Sequence, residues 1–237
     1  MGVVSVNEFG QPVGDPVPDW QPRPPIMPVT LTGGYVRVEA LRPAHAGVLY
    51  GPMVTASDPR IWTYNLAPSG MTPAEFEDYV TGLIGIPAAV PMAILSPEGE
   101  GLGIACYLRI DPDNGSAEVG GIVYSTALQR TTAATEAMVL MARHVFDDLA
   151  YRRYEWKCDS CNGPSVSAAM RLGFTFEGRF RNALVYKGRN RDTDWFSITD
   201  AEWPAISAAY AAWLAPDNFD PFGRQLTSLA VATRDAR

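Results

Sequence analysis

Between residues 35 and 214 the chain switches repeatedly between two hydrophobic periods. Tyr35-Val36-Arg37-Val38-Glu39-Ala40 alternates apolar and polar positions as a half-buried strand does. Val90 to Leu95, Leu102 to Ile110 and Ser116 to Ser125 are further strand-like runs, separated by the turn sequences at 97–101 and 111–115. That is the pattern of an antiparallel meander. In its third strand Gly120-Gly121 interrupts Val119, Ile122, Val123 and Tyr124, which marks a bulge or a close approach to the backbone. The period then changes. Ala134, Met138, Met141 and Val145 recur at helical spacing and predict one buried helix face. Glu136, Arg143 and Asp147 fall on the opposite side, the last two as an i,i+4 pair.

Arg153 to Cys158 is the next strand, reached by a crossover and therefore parallel to the third strand of the meander. Asn162-Gly163-Pro164-Ser165 opens a helix that Gly173 closes. Residues 174–187 and 193–198 read as a hairpin around 188–192, and a last helix runs from Asp200 to Leu214. Upstream, Arg42-Pro43-Ala44 starts a helix toward Tyr50, and Ile61 to Tyr64 form an aromatic patch between loops. Thr72-Pro73-Ala74-Glu75 has the Thr cap, first-position Pro and third-position Glu of a helix start, and that helix continues to Gly85. The order predicts an α/β (α+β) domain. Its sheet is mixed, mostly antiparallel, of about seven strands flanked by helices, with a ligand site where two parallel strands part.

Residues 1–30 carry seven prolines and read as an arm without regular structure, which Trp20 and Ile26 could strap onto the domain. Residues 31–215 form the domain and 216–237 a C-terminal tail.

Composition narrows the function classes. With 26 acidic and 19 basic residues the 237-residue chain has a net charge of -7, which argues against a broad nucleic-acid surface. No run is long enough to span a membrane and no signal-peptide pattern opens the chain, so a cytoplasmic location is expected. Three cysteines, an odd count in a chain this long, argue against a disulfide framework. Cys158 and Cys161 have C-x-x-C spacing but lack a second pair, and His45 and His144 are the only histidines, so buried thiols fit better than a metal or redox centre.

The junction of strand and long helix carries the candidate chemistry. Leu128 to Thr132 presents backbone amides at a helix N-terminus beside Arg130 and the hydroxyls of Thr131, Thr132 and Thr135. Free amides, the helix dipole and a guanidinium suit an anion such as a diphosphate. The same residues equally suit an ordinary cap.

Four stretches together resemble the GNAT superfamily of N-acetyltransferases, and more closely its branch with the ribosomal-protein N-terminal acetyltransferases. Ala117-Glu118-Val119-Gly120 resembles the family's fourth strand; Leu128-Gln129-Arg130 with Ala134-Thr135-Glu136-Ala137 resembles its pyrophosphate loop and helix. Asn162-x-x-Ser165 resembles the start of its next helix, and Leu172-Gly173-Phe174, Glu177-Gly178 and Arg181 the signature that follows. Thr132 departs from the glycine usual in that loop; it is bulkier against a diphosphate, yet its hydroxyl can donate to one.

The resemblance implies acetyl-CoA as co-substrate, no metal, and a small-molecule or peptide amine as acceptor. It implies cofactor contacts from Gly121, Ile122 and Val123, from Gln129, Arg130, Thr131, Thr132, Ala133, Ala134 and Thr135, and from Asn162 and Ser165. Glu118 would receive the amine's proton and Ser165 would protonate the departing thiolate, with Tyr124, Tyr154 and Tyr186 as further acid candidates. Trp62, Tyr64, Trp156, Phe76 and Tyr79 are the candidates for the acceptor pocket; Phe76 and Tyr79 have the helical spacing more typical of core, and Trp62 and Tyr64 fall on a predicted loop. A non-catalytic acyl-CoA-binding module on the same fold is the alternative. Arm and tail offer surfaces for exchange between two copies as a homodimer.

Overall fold

The structure, a computed structural model, describes residues 5–229. Ser5–Val6 (β1) and Pro12–Val13 (β2) pair as a small hairpin in the arm, where no regular structure is expected from its prolines. Asn7 closes it, its side-chain oxygen accepting from the amides of Phe9 and Gln11 at 3.0 Å each. The arm then straps the domain. Trp20 Nε1 donates to the Asp113 carbonyl at 2.8 Å, Tyr151 donates to the Pro24 carbonyl at 3.0 Å, and Ile26 is buried.

The main chain continues through Thr30–Thr32 (β3), Arg37–Ala40 (β4), His45–Tyr50 (α1), Pro73–Ile84 (α2), Val90–Leu95 (β5), Gly101–Asp111 (β6) and Ser116–Tyr124 (β7). Thr132–Arg143 (α3), Arg153–Asp159 (β8), Gly163–Arg171 (α4), Thr175–Tyr186 (β9), Arg189–Thr199 (β10) and Trp203–Leu214 (α5) complete it. Eight strands form one sheet in the order β3-β4-β5-β6-β7-β8-β10-β9. Every neighbouring pair is antiparallel except β7 and β8. The strand beyond the expected seven is β3, too short to show a period of its own. The capping box of α2 forms as its sequence predicts, with Thr72 N donating to Glu75 Oε2 at 2.7 Å and Glu75 N to Thr72 Oγ1 at 3.3 Å.

Alternate residues of the strands build two cores. Met92, Ile94, Val119, Tyr154, Trp156 and Phe196 pack with α3, α4 and α5 on one face. Ala93, Leu95, Ile104 and Cys106 pack with α1 and α2 on the other. The second core covers only the β4–β7 side of its face. Over β8 and β10 that face carries Glu155, Lys157, Asp159 and Trp195 instead, none of which joins either apolar core among the described residues.

Several local expectations change. The hairpin turn is the tight pair Lys187-Gly188, with Tyr186 opposite Arg189, so 189–192 belong to β10 and not to a loop. Both turn residues have positive φ (49° and 70°), as a two-residue turn matching strand twist requires. The tail is packed as far as it is described: Phe219 meets Trp213 edge to face, Trp213 Nε1 donates to Gln225 at 2.9 Å, and Leu229 is buried. The anticipated Arg143–Asp147 pair is replaced because α3 ends in a wider turn, His144–Asp148, which shifts the register. Asp147 accepts from Trp203 Nε1 at 2.5 Å, and His144 pairs with Asp148 at 2.8 Å.

Glu136 is buried, not on the solvent side. Its carboxylate accepts the amides of Gly34, Tyr35 and Val36 at 2.9, 2.6 and 3.0 Å, and ties the β3–β4 turn to α3. Gly33 is demanded by the same contact, because a Cβ there would lie 2.3 Å from the carboxyl group. Glu136→Ala should cost about 3 kcal/mol, since three amides lose a charged acceptor. In calorimetry the melting temperature should fall by roughly 6–12 °C; an unchanged value would mean that water replaces the carboxylate without loss.

Candidate active site

The parallel ladder between β7 and β8 is four residues long. Ser116, Ala117, Glu118 and Val119 pair with Arg153, Tyr154, Glu155 and Trp156, and pairing stops there. Beyond Val119, β7 leaves the ladder through a bulge: between the pairs Cys106–Gly120 and Ile104–Val123 it has one residue more than β6. Gly121 sits in the bulge at φ 58°, where a residue with Cβ would be strained. Gly120 has no room for one, as a Cβ would lie 2.7 Å from Glu118 Oε1. Gly121 and Ile122 thus follow the point where β7 and β8 stop pairing and leave a gap, while Val123 rejoins β6 opposite Ile104 and is buried in the second core.

Loops at the C-terminal ends of both strands flank that gap. After β7, Ser125 accepts the amides of Leu128 and Gln129 at 3.0 and 3.2 Å, and Gln129 Nε2 donates to the Tyr124 carbonyl at 3.3 Å. Arg130 turns the chain with φ 62° and stands exposed. Thr131 caps α3, accepting from Ala134 N at 3.1 Å while donating to the Leu128 carbonyl at 2.6 Å. Ala134 is thus satisfied. The amides of Thr131, Thr132 and Ala133 precede the helix's own hydrogen-bond ladder and keep their donors. Thr132 is an ordinary first helical residue with no positive φ, so its departure from glycine strains nothing. The Thr135 hydroxyl points elsewhere and accepts from Arg171 at 3.0 Å in the core.

After β8, Asn162 caps α4 by accepting from Ser165 N at 3.2 Å. Ser165 Oγ accepts from Trp156 Nε1 at 3.0 Å, and its hydroxyl also hydrogen-bonds the buried Cys158 thiol. Trp156 itself is buried edge to face against Phe174, on the α3–α4 face of the sheet.

The opposite face holds Glu118. Its carboxylate is nearly enclosed, with Lys157 Nζ 2.8 Å from Oε2 and Arg109 Nε at 3.9 Å. Lys157 also reaches Glu155 at 2.6 Å and stands 3.9 Å from the centre of the Trp195 ring. Burial raises the Glu118 pKa above the usual carboxylate value; Lys157 and Arg109 oppose that shift, and Glu155 adds to it. Cys106 lies beneath, its thiol pushed up to about 12 by burial and by the Glu118 charge. Trp195 Nε1 has no hydrogen-bond partner among the described residues.

Two residues further along β8, Asp159 borders a cavity of about 260 Å³ with Tyr64, Cys161, Tyr186, Lys187 and Arg189. Tyr64 donates to the Cys161 carbonyl at 2.9 Å and Tyr186 to Asp159 at 2.7 Å. Trp62 is not part of its wall. It is buried against Tyr79 in the second core, together with Phe76, and contributes only its carbonyl, which accepts from Lys187 at 2.9 Å. Tyr124 donates to the Ala134 carbonyl at 3.2 Å, and Tyr154 is buried with its hydroxyl unpartnered among the described residues. A larger hollow of about 710 Å³, between α1 and the β5–β6 turn, meets the α3 loop only at Ala127. Cys106, Cys158 and Cys161 are all free thiols; Cys158 is buried as expected, but Cys161, in the turn after β8, is exposed. Sequence reasoning missed Lys157, Asp159 and Lys187. The signal was present in Glu155, Lys157 and Asp159, three charges at alternate positions of a central strand.

Among curated proteins none matches this chain. A GCN5-related N-acetyltransferase from Brucella melitensis is 41% identical, with a TM-score of 0.89 over 92% of this chain and 100% of the other. A GNAT-family acetyltransferase from Chromobacterium violaceum is 31% identical, with a TM-score of 0.76 over 82% and 98%. An acetyl transferase from Salmonella typhimurium that modifies the N-terminal serine of 50S ribosomal subunit protein L7/L12 shares the fold at 20% identity, with a TM-score of 0.60 over 70% and 96%. The model of the acetyltransferase (GNAT) domain matches residues 36–175, which include the parted strands, the bulge and both flanking helix starts, and the chain belongs to the GNAT acetyltransferase family.

Proposed function

We propose that the chain is an acetyl-CoA-dependent N-acetyltransferase that moves an acetyl group to a primary amine by direct attack in a ternary complex. The observation that carries this reading is the gap itself. It opens between a bulged strand and its parallel neighbour, with unsatisfied helix-start amides at one end and a buried carboxylate on the far face.

The residues fit the co-substrate. Amides of Thr131, Thr132 and Ala133, with Arg130 beside them, form the anion site for a diphosphate. Gln129 shapes the loop, and Asn162 and Ser165 border the gap at α4. Acetyl-CoA supplies the acyl group as a thioester. The α3–α4 face is the side for the nucleotide arm, and the Glu118 face is the side for the acceptor.

An alkyl ammonium, with a pKa of about 10, has no lone pair and must lose a proton before it can attack. Glu118 is the group placed to take it, and its raised pKa makes it a better base than a free carboxylate. Amides freed by the bulge at Gly121 to Val123 face developing charge on the acyl oxygen. The Ser165 hydroxyl, shared with Cys158 in this structure, would turn to the leaving sulfur to donate its proton.

Acetyl-CoA mixed with a panel of amines should release thiol; binding without release on any amine would favour the acyl-CoA-binding module. Glu118→Gln should lower kcat by roughly 10²–10⁴-fold while the acetyl-CoA Kd stays within a factor of two, and an unchanged kcat would remove Glu118 from the chemistry. Arg130→Ala should weaken acetyl-CoA about fivefold by titration, the effect of about 1 kcal/mol for one exposed cation at a helix start; an equal Kd would place the diphosphate elsewhere. Activity should fall as pH drops through the Glu118 pKa. In Lys157→Met the carboxylate loses its nearest cation, its pKa rises further, and the acid limb of the kcat/KM profile should move to higher pH, with Lys157→Arg restoring it. A limb that does not move would show that another group controls the profile.

A further inference from the structure

The cavity beyond Glu118 differs in charge from the rest of the molecule. The chain has 26 acidic residues against 19 basic ones, and Arg37, Arg42, Arg60, Arg153, Lys157 and Arg179 all sit in ion pairs. Lys187, Arg189 and Arg191 form none among the described residues, which is also true of other arginines such as Arg130, Arg143 and Arg181; what sets these three apart is that they gather at one cavity. Lys187 and Arg189 border the cavity, and the Arg191 guanidinium stands 5.9 Å from the centre of the neighbouring Tyr186 ring. The one acid in the wall is already engaged: Asp159 accepts from Cys161 N at 2.8 Å and from Tyr186 at 2.7 Å. Lys187 gives one N–H to the Trp62 carbonyl and keeps two. Burial lowers its pKa, the sign expected of a cation without an anionic partner.

The backbone adds a second observation. Lys187 holds φ 49° in a turn position that Asn, Asp or Gly takes more readily. Its side chain anchors that turn across the cavity to the 59–62 segment. Non-glycine residues kept in such a conformation by their surroundings concentrate at ligand sites.

Size adds a third. At about 260 Å³ the cavity lies below the ~300–1,000 Å³ of pockets that enclose drug-sized ligands, so it suits a few heavy atoms. Asp159 is four residues past Glu155, the register partner of Glu118, about 13 Å along the strand; a hydrogen bond of about 3 Å at each end leaves about 7 Å, which a chain of about six carbons covers.

We infer that the acceptor is a small molecule bearing an anionic group, carboxylate or phosphate, as well as its primary amine, with the anion held by Lys187 and Arg189 and the amine directed back along β8 toward Glu118. The role of the amine rests on the acetyl-transfer reading; the anion site does not. In the transfer the amide C–N bond forms and the thioester C–S bond breaks. The ammonium gives one proton to Glu118 before it attacks; the second proton leaves nitrogen as the C–S bond breaks and reaches the CoA sulfur through the Ser165 hydroxyl, which gives up one proton and takes back another, and nothing is oxidised or reduced.

The test pairs each anionic amine with a neutral relative: 6-aminohexanoate with hexylamine, 6-aminohexyl phosphate with 6-aminohexan-1-ol, and a serine-initiated tripeptide amide as the peptide arm. Calorimetric titration into the full chain saturated with CoA reads binding without turnover, and thiol release reads transfer. At least one anionic amine should bind ten times tighter than its neutral partner, and which of the two does so separates carboxylate from phosphate. Lys187→Asn combined with Arg189→Met, in which asparagine keeps the turn, should reduce that preference below threefold without changing the acetyl-CoA Kd. Equal binding of charged and neutral amines, or a preference for the tripeptide, would overturn the inference. So would a loss of acetyl-CoA affinity in the double variant that is absent for dephospho-CoA, because the cations would then serve the CoA 3′-phosphate. Preferential binding with no thiol release on any amine would keep the anion site and discard acetyl transfer; turnover of neutral and charged amines with equal KM would do the reverse.

Discussion

The structure depends on how early β7 and β8 stop pairing. A parallel pair inside a sheet normally has every amide and carbonyl occupied, which leaves no room for a ligand. Here four residue pairs hold the strands together at one end, and past Val119 and Trp156 each strand turns to its other neighbour. β7 stays with β6 through a bulge, and β8 continues with β10 as far as Asp159 opposite Thr193. The opening costs backbone hydrogen bonds, and the long antiparallel ladders on both sides make it tolerable. Both helices that begin at this end, α3 and α4, direct their N-termini toward it, so polarity and dipole converge where sheet pairing is absent.

The gap also joins two different environments. The α3–α4 side is apolar, built from Met138, Met141, Tyr154, Trp156 and Phe174. On the other side Glu118, Lys157 and Glu155 continue into Arg153 and Glu177, whose two parallel contacts measure 2.7 and 2.6 Å. Burial pushes Glu155 upward, but hydrogen bonds from Lys157 and Arg153 prevail and hold its pKa below the ordinary value. Glu118 has only Lys157 at hydrogen-bond distance, and there burial prevails. Two carboxylates side by side on neighbouring strands thus move in opposite directions, because their cationic neighbours differ in number and reach. Charges buried this way add little net stability and are costly to leave unpaired, which makes the arrangement more informative about chemistry than about folding.

Much of the fold was legible because local rules and tertiary packing agree in it. The Thr72–Glu75 start of α2, the meander from β5 to β7, the parallel crossover to β8 and the glycine-marked bulge all follow from residues adjacent in sequence. Expectations failed where a distant partner decides. Glu136 lies on what the helical period marks as the polar face, yet three amides about a hundred residues away draw it inside. Trp62 and Trp156 have the composition of a binding wall, but both are absorbed into packing; Tyr64, beside one of them, reaches the cavity.

By itself the sequence determined the order and type of the elements, the place of the bulge and the helix start that can hold an anion, because each depends on spacing within a few residues. Only the tertiary structure decided which charges meet. Glu118 and Lys157 are 39 positions apart, and Lys187 and Trp62 are 125 apart. No periodicity records such pairings, since strand order and register bring those side chains together only after the sheet has formed.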